Sequence, residues 1–574
     1  MHDLVIRGGT VVDGTGDAAR TADVAIDAGV ITAIGRVDEI ATREIDADGA
    51  LVTPGFVDVH THYDGQVTWD PWLTPTGWHG VTTVVMGNCG VGFAPCRPDR
   101  HEWLIGLMEG VEDIPGAALS AGIKWGWESF PQYLDALEGF QKALDVGTQV
   151  PHGAVRAYVM GDRGARNEPA TTEDIEAMAD LVREGMRAGA LGFSTSRTIA
   201  HRAIDGEPVP GTFAAEDELF GIGRVLGELK AGVFELAAAG VLGEDLAAPE
   251  REIGWMRRLA AETGRPISFA LNQNNNDPDQ WRKLLELATE ALAEGVPIRP
   301  QVTARTVSIL LGFQTFHPLS FTPTWRTSGI GLLPWREQVQ RLRADADLRA
   351  RLVTEAKDLD GNELVRGFMS PERSYVLGDP PNYEPSPSES VAGIAAARGS
   401  DRWETFFDLL MQDDGRELLN SPVLNYSFGN LEATREMLVH PATVYGLSDG
   451  GAHAGQTCDA STTTFMLSYW ARDRDEGRIP IEESVRQITS ATADLYGLSD
   501  RGRLVPGSVA DINVIDPGGI GLHRPEVAAD LPGGATRLVQ RADGYVSTIK
   551  TGEVIFEAGE PTGSFPGRLL RGAR

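Results

Sequence analysis

Two histidines at a spacing of two residues are the first sign of metal chemistry. They lie in Pro54-Gly55-Phe56-Val57-Asp58-Val59-His60-Thr61-His62-Tyr63-Asp64, a β-patterned run that ends at Asp64-Gly65. Residues two apart on a strand share a face, so His60 and His62 project together. Two imidazoles on one face supply half of a zinc or iron site. The alternative, two polar core residues at a turn, is a rare use of paired histidines.

A second run, Gly80-Val81-Thr82-Thr83-Val84-Val85-Met86-Gly87-Asn88-Cys89-Gly90, delivers one cysteine from a β-branched strand into a glycine-flanked loop. A thiolate is a good zinc ligand, and an adjacent cation keeps it deprotonated. Cys96 and Cys458 lack that context and read as ordinary small buried residues. A third run, Val444-Tyr445-Gly446-Leu447-Ser448-Asp449-Gly450-Gly451-Ala452-His453, ends a strand in an aspartate followed by two glycines and a histidine. Asp449 is suited to ligate a metal weakly and to take a proton from activated water. His453 is suited to stabilise an oxyanion or to ligate. Arg197, after Ser194-Thr195-Ser196, is a candidate clamp for a substrate carboxylate. His152 and His201 fall near strand ends and are further substrate-binding candidates, against the simpler reading of hydrogen-bonded structural histidines.

The elements that must hold these residues change character along the chain. Residues 1–52 alternate short β-patterned runs with glycine turns, and residues 505–574 repeat that style (Ala510 to Ile515, Tyr545 to Phe556). That is hairpin punctuation without crossover helices, and it predicts one small sheet domain made where the termini meet. Over 53–504, buried-type strands (Gly55–His60, Val81–Met86, Ala154–Met160, Ala190–Ser194, Val233–Leu236, Pro266–Leu271, Val444–Asp449) alternate with helical stretches. The latter include Thr172–Ala188, Glu216–Ala231, Glu250–Thr263, Asp277–Ala293 and Ile481–Tyr496. Strand-then-helix units predict a parallel α/β barrel or a doubly wound sheet. Without a Gly-x-Gly-x-x-Gly or Walker-type loop, the nucleotide-binding doubly wound folds lose ground. In a barrel the three runs would meet at the C-terminal rim, where active sites are built. Residues 299–399 are rich in proline and aromatics and read as an insertion on the barrel, a lid or substrate wall.

Composition narrows the partners. The chain has 574 residues, 42% apolar and 23% charged, with 82 acidic against 51 basic side chains and a net charge of -31. A surface that negative repels phosphate backbones and anionic membranes, so the expected partner is a small molecule, including one bearing a carboxylate, and not a nucleic acid or a membrane. Three cysteines, an odd and sparse set, argue against a disulfide framework and for a reducing, cytoplasmic setting. A homo-oligomer is compatible with all of this.

The stretches TPGFVDVHTHYD, GVTTVVMGNCG, GLSDGGAH and DRGRLVPGSVADINVIDP together resemble the amidohydrolase superfamily, specifically its N-acyl-D-amino-acid deacylase (D-aminoacylase) group, over nearly the whole chain. The resemblance implies an α/β fold: a (β/α)8 TIM-like barrel beside a small β-sandwich built from both termini. It also implies zinc-dependent hydrolysis of an amide or cyclic amide. By position, His60 and His62 match the first-strand metal ligands, Cys89 the bridging cysteine and Asp449 the last-strand aspartate, with His453 an added catalytic candidate. The family's fifth- and sixth-strand histidines are missing: those strands read Gly232–Ala237 and Pro266–Gln273, where Glu235, Asn272 and Gln273 are the polar side chains available. One zinc ion is therefore favoured over two. The expected reaction is cleavage of the amide C–N bond of an N-acyl amino acid or related N-acyl compound. Rival readings are a cyclic imide, hydantoin or lactone hydrolase on the same scaffold and a non-catalytic binding protein.

Overall fold

A computed structural model describes residues 1–572. Eight short strands form its centre: β1 (Phe56–Asp58), β2 (Val81–Met86), the two-part β3 (Asp145–Thr148 and Val150–Pro151), β4 (Gly192–Ser196), β5 (Val233–Ala237), β6 (Ile267–Ala270), β7 (Ile298–Val302) and β8 (Val444–Tyr445). Each pairs with the next in parallel. The ring closes where Thr61 bridges Gly450 and the His62 N–H donates to the Gly450 carbonyl at 2.7 Å. This is the (β/α)8 barrel, and the closure runs through the two stretches that carry His62 and Asp449. Its strands are almost wholly buried, as a parallel sheet covered on both faces requires.

The helix Thr172–Ala188 shows how local chemistry fixes an element. The Thr171 hydroxyl accepts from the Asp174 N–H, the Asp174 carboxylate returns to the Thr171 N–H, and Gly189 ends the helix at φ 116°. Two expectations need correction. The run Ala154–Met160 is not a strand: His152–Met160 is helical and β3 lies just upstream. A seven-residue apolar run carries too little periodicity to separate the two. The stretch Ile481–Tyr496 is two helices, Ile481–Ile488 and Ser490–Leu495, broken at Thr489.

The start expected for the insertion, near Arg299, falls inside β7, because Pro300 sits within the β6–β7 ladder opposite Phe269. The departure comes afterwards, between β7 and β8. It holds an antiparallel sheet of Val307–Leu311, Tyr375–Val376 and Leu419–Leu424. A separate apolar core surrounds Phe313, Trp325, Leu352 and Phe406.

Strands from both ends of the chain share one nine-stranded sheet, in which Leu51–Pro54 runs antiparallel to Ile512–Ile515. Between this sheet and the N-terminal end of the barrel lies a buried ionic cluster. Asp145 accepts from Arg501 at 2.6 Å and lies 2.9 Å from Lys550 Nζ, while Lys550 also donates to both oxygens of Asp511 at 2.8 and 2.9 Å. No helix of the described residues is long and apolar enough to cross a membrane.

Candidate active site and metal centre

β1 ends at Asp58, and the chain continues extended along β2 so that both histidine rings turn into the barrel mouth, 5.5 Å apart at their centroids. The tautomer of His60 follows from a directional chain of hydrogen bonds. Ser268 Oγ donates to the Arg299 carbonyl at 2.8 Å, so it accepts from Gln301 Nε2 at 3.0 Å. Gln301 therefore turns Oε1 toward His60 Nδ1, 2.9 Å away, and that nitrogen carries the proton. Nε2 is left bare. It lies 3.3 Å from Cys89 Sγ and 3.3 Å from Asp449 Oδ1, while His62 Nε2 lies 3.8 Å from the same oxygen. The ligand atoms of His60, His62 and Cys89 are all within 4.8 Å of one another.

The loops that present these groups are held in costly conformations. Cys89, Asp449 and His453 are non-glycine residues at φ 54°, 47° and 48°, each a cost of about 1–3 kcal/mol that the surroundings must maintain. Next to Cys89, Gly90 packs so closely on β4 that a Cβ there would stand 2.8 Å from the Ser196 nitrogen. The Cys89 N–H donates to Glu235 Oε2 at 3.1 Å.

Electrostatically the site lacks positive charge. Burial pushes Glu235 up to about 7 and raises Glu112 and the Cys89 thiol well above their usual ranges. Burial holds His62 neutral, down to about 4. Asp449 moves the other way: burial would raise it, but the His62 contact and the surrounding imidazoles outweigh that and hold it below the usual carboxylate range. Among the described residues the ion-pair partners of Asp449, Glu112 and Glu235 are imidazoles only, with no lysine or arginine. Two imidazole nitrogens, a thiol sulfur and a carboxylate oxygen therefore converge where no side chain brings a permanent cation. His62 Nδ1, Glu112 Oε1 and Glu235 Oε1 are buried without a hydrogen-bond partner. This donor set fits a divalent metal ion. The Asp449 side chain keeps 20% exposure against 1% for either histidine, so solvent reaches the centre over the aspartate.

The other sequence candidates are placed differently. His453 lies at the rim, its Nε2 3.8 Å from Glu112 Oε2. His201 accepts from or donates to Ser196 Oγ at 3.0 Å and lies close enough to feel the charges of His453, His62 and Asp449. His152 is held between Thr195 Oγ1 at 2.8 Å and Glu218 Oε1 at 2.9 Å, a carboxylate that Arg156 also approaches. Arg197 faces Glu252 with Nε and Nη2 at 3.0 and 3.2 Å and gives Nη1 to the Ala214 carbonyl, which leaves its carboxylate-binding fork occupied. Asn272 and Gln273 bond to Asn425, and Gln273 also to Ser427, whereas Glu235 points at the cluster.

Sequence reasoning missed Gln301 and Glu112. Gln301 was hidden by Arg299 and Pro300, which read as the start of an insertion. Replacing Gln301 with leucine is expected to free the His60 tautomer and weaken metal affinity about 10- to 100-fold. Competition with a chromophoric chelator would measure this, and an unchanged affinity would refute the relay.

The amidohydrolase family profile matches residues 43–556. A D-aminoacylase from Alcaligenes xylosoxydans xylosoxydans is 26% identical over 571 residues, covering 99% of this chain and 97% of its own. An N-acyl-D-glutamate deacylase from the same organism is 27% identical and covers 90% of this chain and 87% of its own. Among solved structures, a crystal structure of D-aminoacylase superposes with a TM-score of 0.66 at 24% identity, over 100% of both chains.

Proposed function

The chain belongs to the amidohydrolase family and is a hydrolase of carbon–nitrogen bonds other than peptide bonds, and from that premise we propose that it deacylates N-acyl amino acids, with the D-series as first substrates. The observation that carries this reading is Asp449, a solvent-reached carboxylate 3.3 and 3.8 Å from the Nε2 atoms of His60 and His62, the first of which also lies 3.3 Å from Cys89 Sγ. The activities named for the two deacylase relatives, matched over 90% or more of this chain, support the substrate class.

His60, His62, Cys89 and Asp449 would hold one zinc ion, which when bound supplies a Lewis acid for the scissile carbonyl and lowers the pKa of water. The rest of the work belongs to the chain. Asp449, anionic and exposed on one side, accepts the proton of the attacking water and returns it to the departing nitrogen. His453, at the rim, donates toward the oxygen on which charge develops. Gln301 keeps the His60 proton on Nδ1, away from the centre.

The test is a panel of N-acyl-D- and N-acyl-L-amino acids beside hydantoins and cyclic imides, assayed on purified protein of measured metal content. Release of free amino acid from the D-series is expected. Turnover confined to the ring substrates would overturn the acyl-amino-acid reading, and undiminished turnover by metal-stripped protein would overturn the metal-dependent one.

A further inference from the structure

Glu112 breaks three rules at once. It closes the helix His101–Glu112, so its carboxyl sits at the negative end of the helix dipole, where a cation belongs. It is buried at 2% exposure, and one of its oxygens has no hydrogen-bond partner. Its only ion-pair partners among the described residues are imidazoles: Oε1 lies 3.3 Å from His62 Nδ1 and Oε2 lies 3.8 Å from His453 Nε2. His62 Nδ1 is likewise buried and unpaired. Two orphaned polar atoms of opposite character 3.3 Å apart need only a small rotation to satisfy each other, and leaving both unpaired would cost about 1–3 kcal/mol apiece. Violations of this kind collect at functional positions.

The backbone around Glu112 serves the same end. The His453 N–H donates to the Glu112 carbonyl, and the Gly455 N–H donates to Asp113 Oδ2 at 3.0 Å. Residues 112–113 thus clamp the loop that follows Asp449, while the Glu112 side chain reaches His62.

We propose that Glu112 is a positioning residue: it accepts the Nδ1 proton of His62, fixes that ring with Nε2 toward the metal centre, and ties it to His453 through its second oxygen. Glu112 does for His62 what Gln301 does for His60, but from the opposite wall and with a carboxyl group, whose hydrogen bond to a ligating imidazole raises the basicity of the ligand. The inference rests on the metal reading of the site given above.

The experiment uses the full-length chain, stripped with chelator, as wild type, Glu112→Gln and Glu112→Ala. Zinc titration against a chromophoric chelator should show affinity about 10- to 100-fold weaker for Glu112→Ala, with Glu112→Gln recovering most of the loss because its Oε1 still accepts. In 15N-histidine spectra of the metal-free proteins, the His62 signal should report Nδ1–H in wild type and Glu112→Gln and shift toward Nε2–H in Glu112→Ala. Zinc affinity of Glu112→Ala within twofold of wild type would overturn the proposal, as would a failure of Glu112→Gln to rescue. If the wild type itself takes up no zinc, the metal reading falls, and the His62 tautomer alone then decides the role of Glu112: an unchanged signal in Glu112→Ala refutes it.

Discussion

Asp449→Asn lowers turnover by about 10²- to 10⁴-fold, the range set by loss of a positioned general base, while the protein keeps its fold and most of its affinity for substrate. The amide is nearly isosteric, and the left-handed backbone at position 449 (φ 47°) suits asparagine as well as aspartate. What disappears is the proton acceptor at a point that solvent reaches. His60, His62 and Cys89 remain to hold metal, so metal content measured beside kcat separates the two duties of Asp449. Retained metal with kcat within tenfold of wild type would remove Asp449 from the proton transfer. Loss of metal in parallel with activity would recast it as chiefly a ligand.

The second large effect concerns stability. Asp145, Arg501, Lys550 and Asp511 are all at or below 3% exposure and join β3 to the terminal sheet. Truncating Asp145 to alanine leaves two buried cations with Asp511 as their one buried carboxylate, beside the half-exposed Asp500 on Arg501, with an expected loss of about 3–5 kcal/mol in the urea midpoint analysis. Replacing the interacting pair together, Asp145→Leu with Lys550→Met, should restore part of it, because apolar groups need no partner. A loss below about 1 kcal/mol for Asp145→Ala would show that water replaces the carboxylate. The sign of the pH dependence follows. Burial would raise Asp145, but Lys550 and Arg501 outweigh it and hold the folded-state value below the ordinary one. Its contribution is therefore complete above about pH 4, the unfolded value, and is lost as the pH falls further; Asp145→Ala should flatten the stability profile in that acid window.

Local spacing made part of this molecule legible in advance. His60 and His62 announce themselves because a strand puts alternate residues on one face, and Cys89 because glycines flank it at a strand end. The helix Thr172–Ala188 carries its cap and its terminating glycine in consecutive letters. What stayed hidden arises from meetings across the barrel. Gln301 matters through Ser268 on β6 and His60 beyond β1, and no spacing encodes that. Glu112 leaves one trace, an acid in the final turn of a helix, and only its burial sets it apart from an ordinary polar end. The helix His152–Met160 was misread because its partners, not its own sequence, decide its shape.

The sheet shared by both ends constrains how the molecule can be made. Leu51–Pro54 leaves the ribosome some 460 residues before its partner strand Ile512–Ile515. At about 5–20 residues per second of synthesis, that edge stays open for tens of seconds on a nascent chain. Assembly then closes a loop of some 460 residues, which slows folding, and unpaired edges of this kind invite aggregation. A circular permutant joining residue 574 to residue 1 and opening at an exposed loop of the 303–443 segment would bring the two strands close in sequence, and faster refolding with fewer aggregates is the consequence.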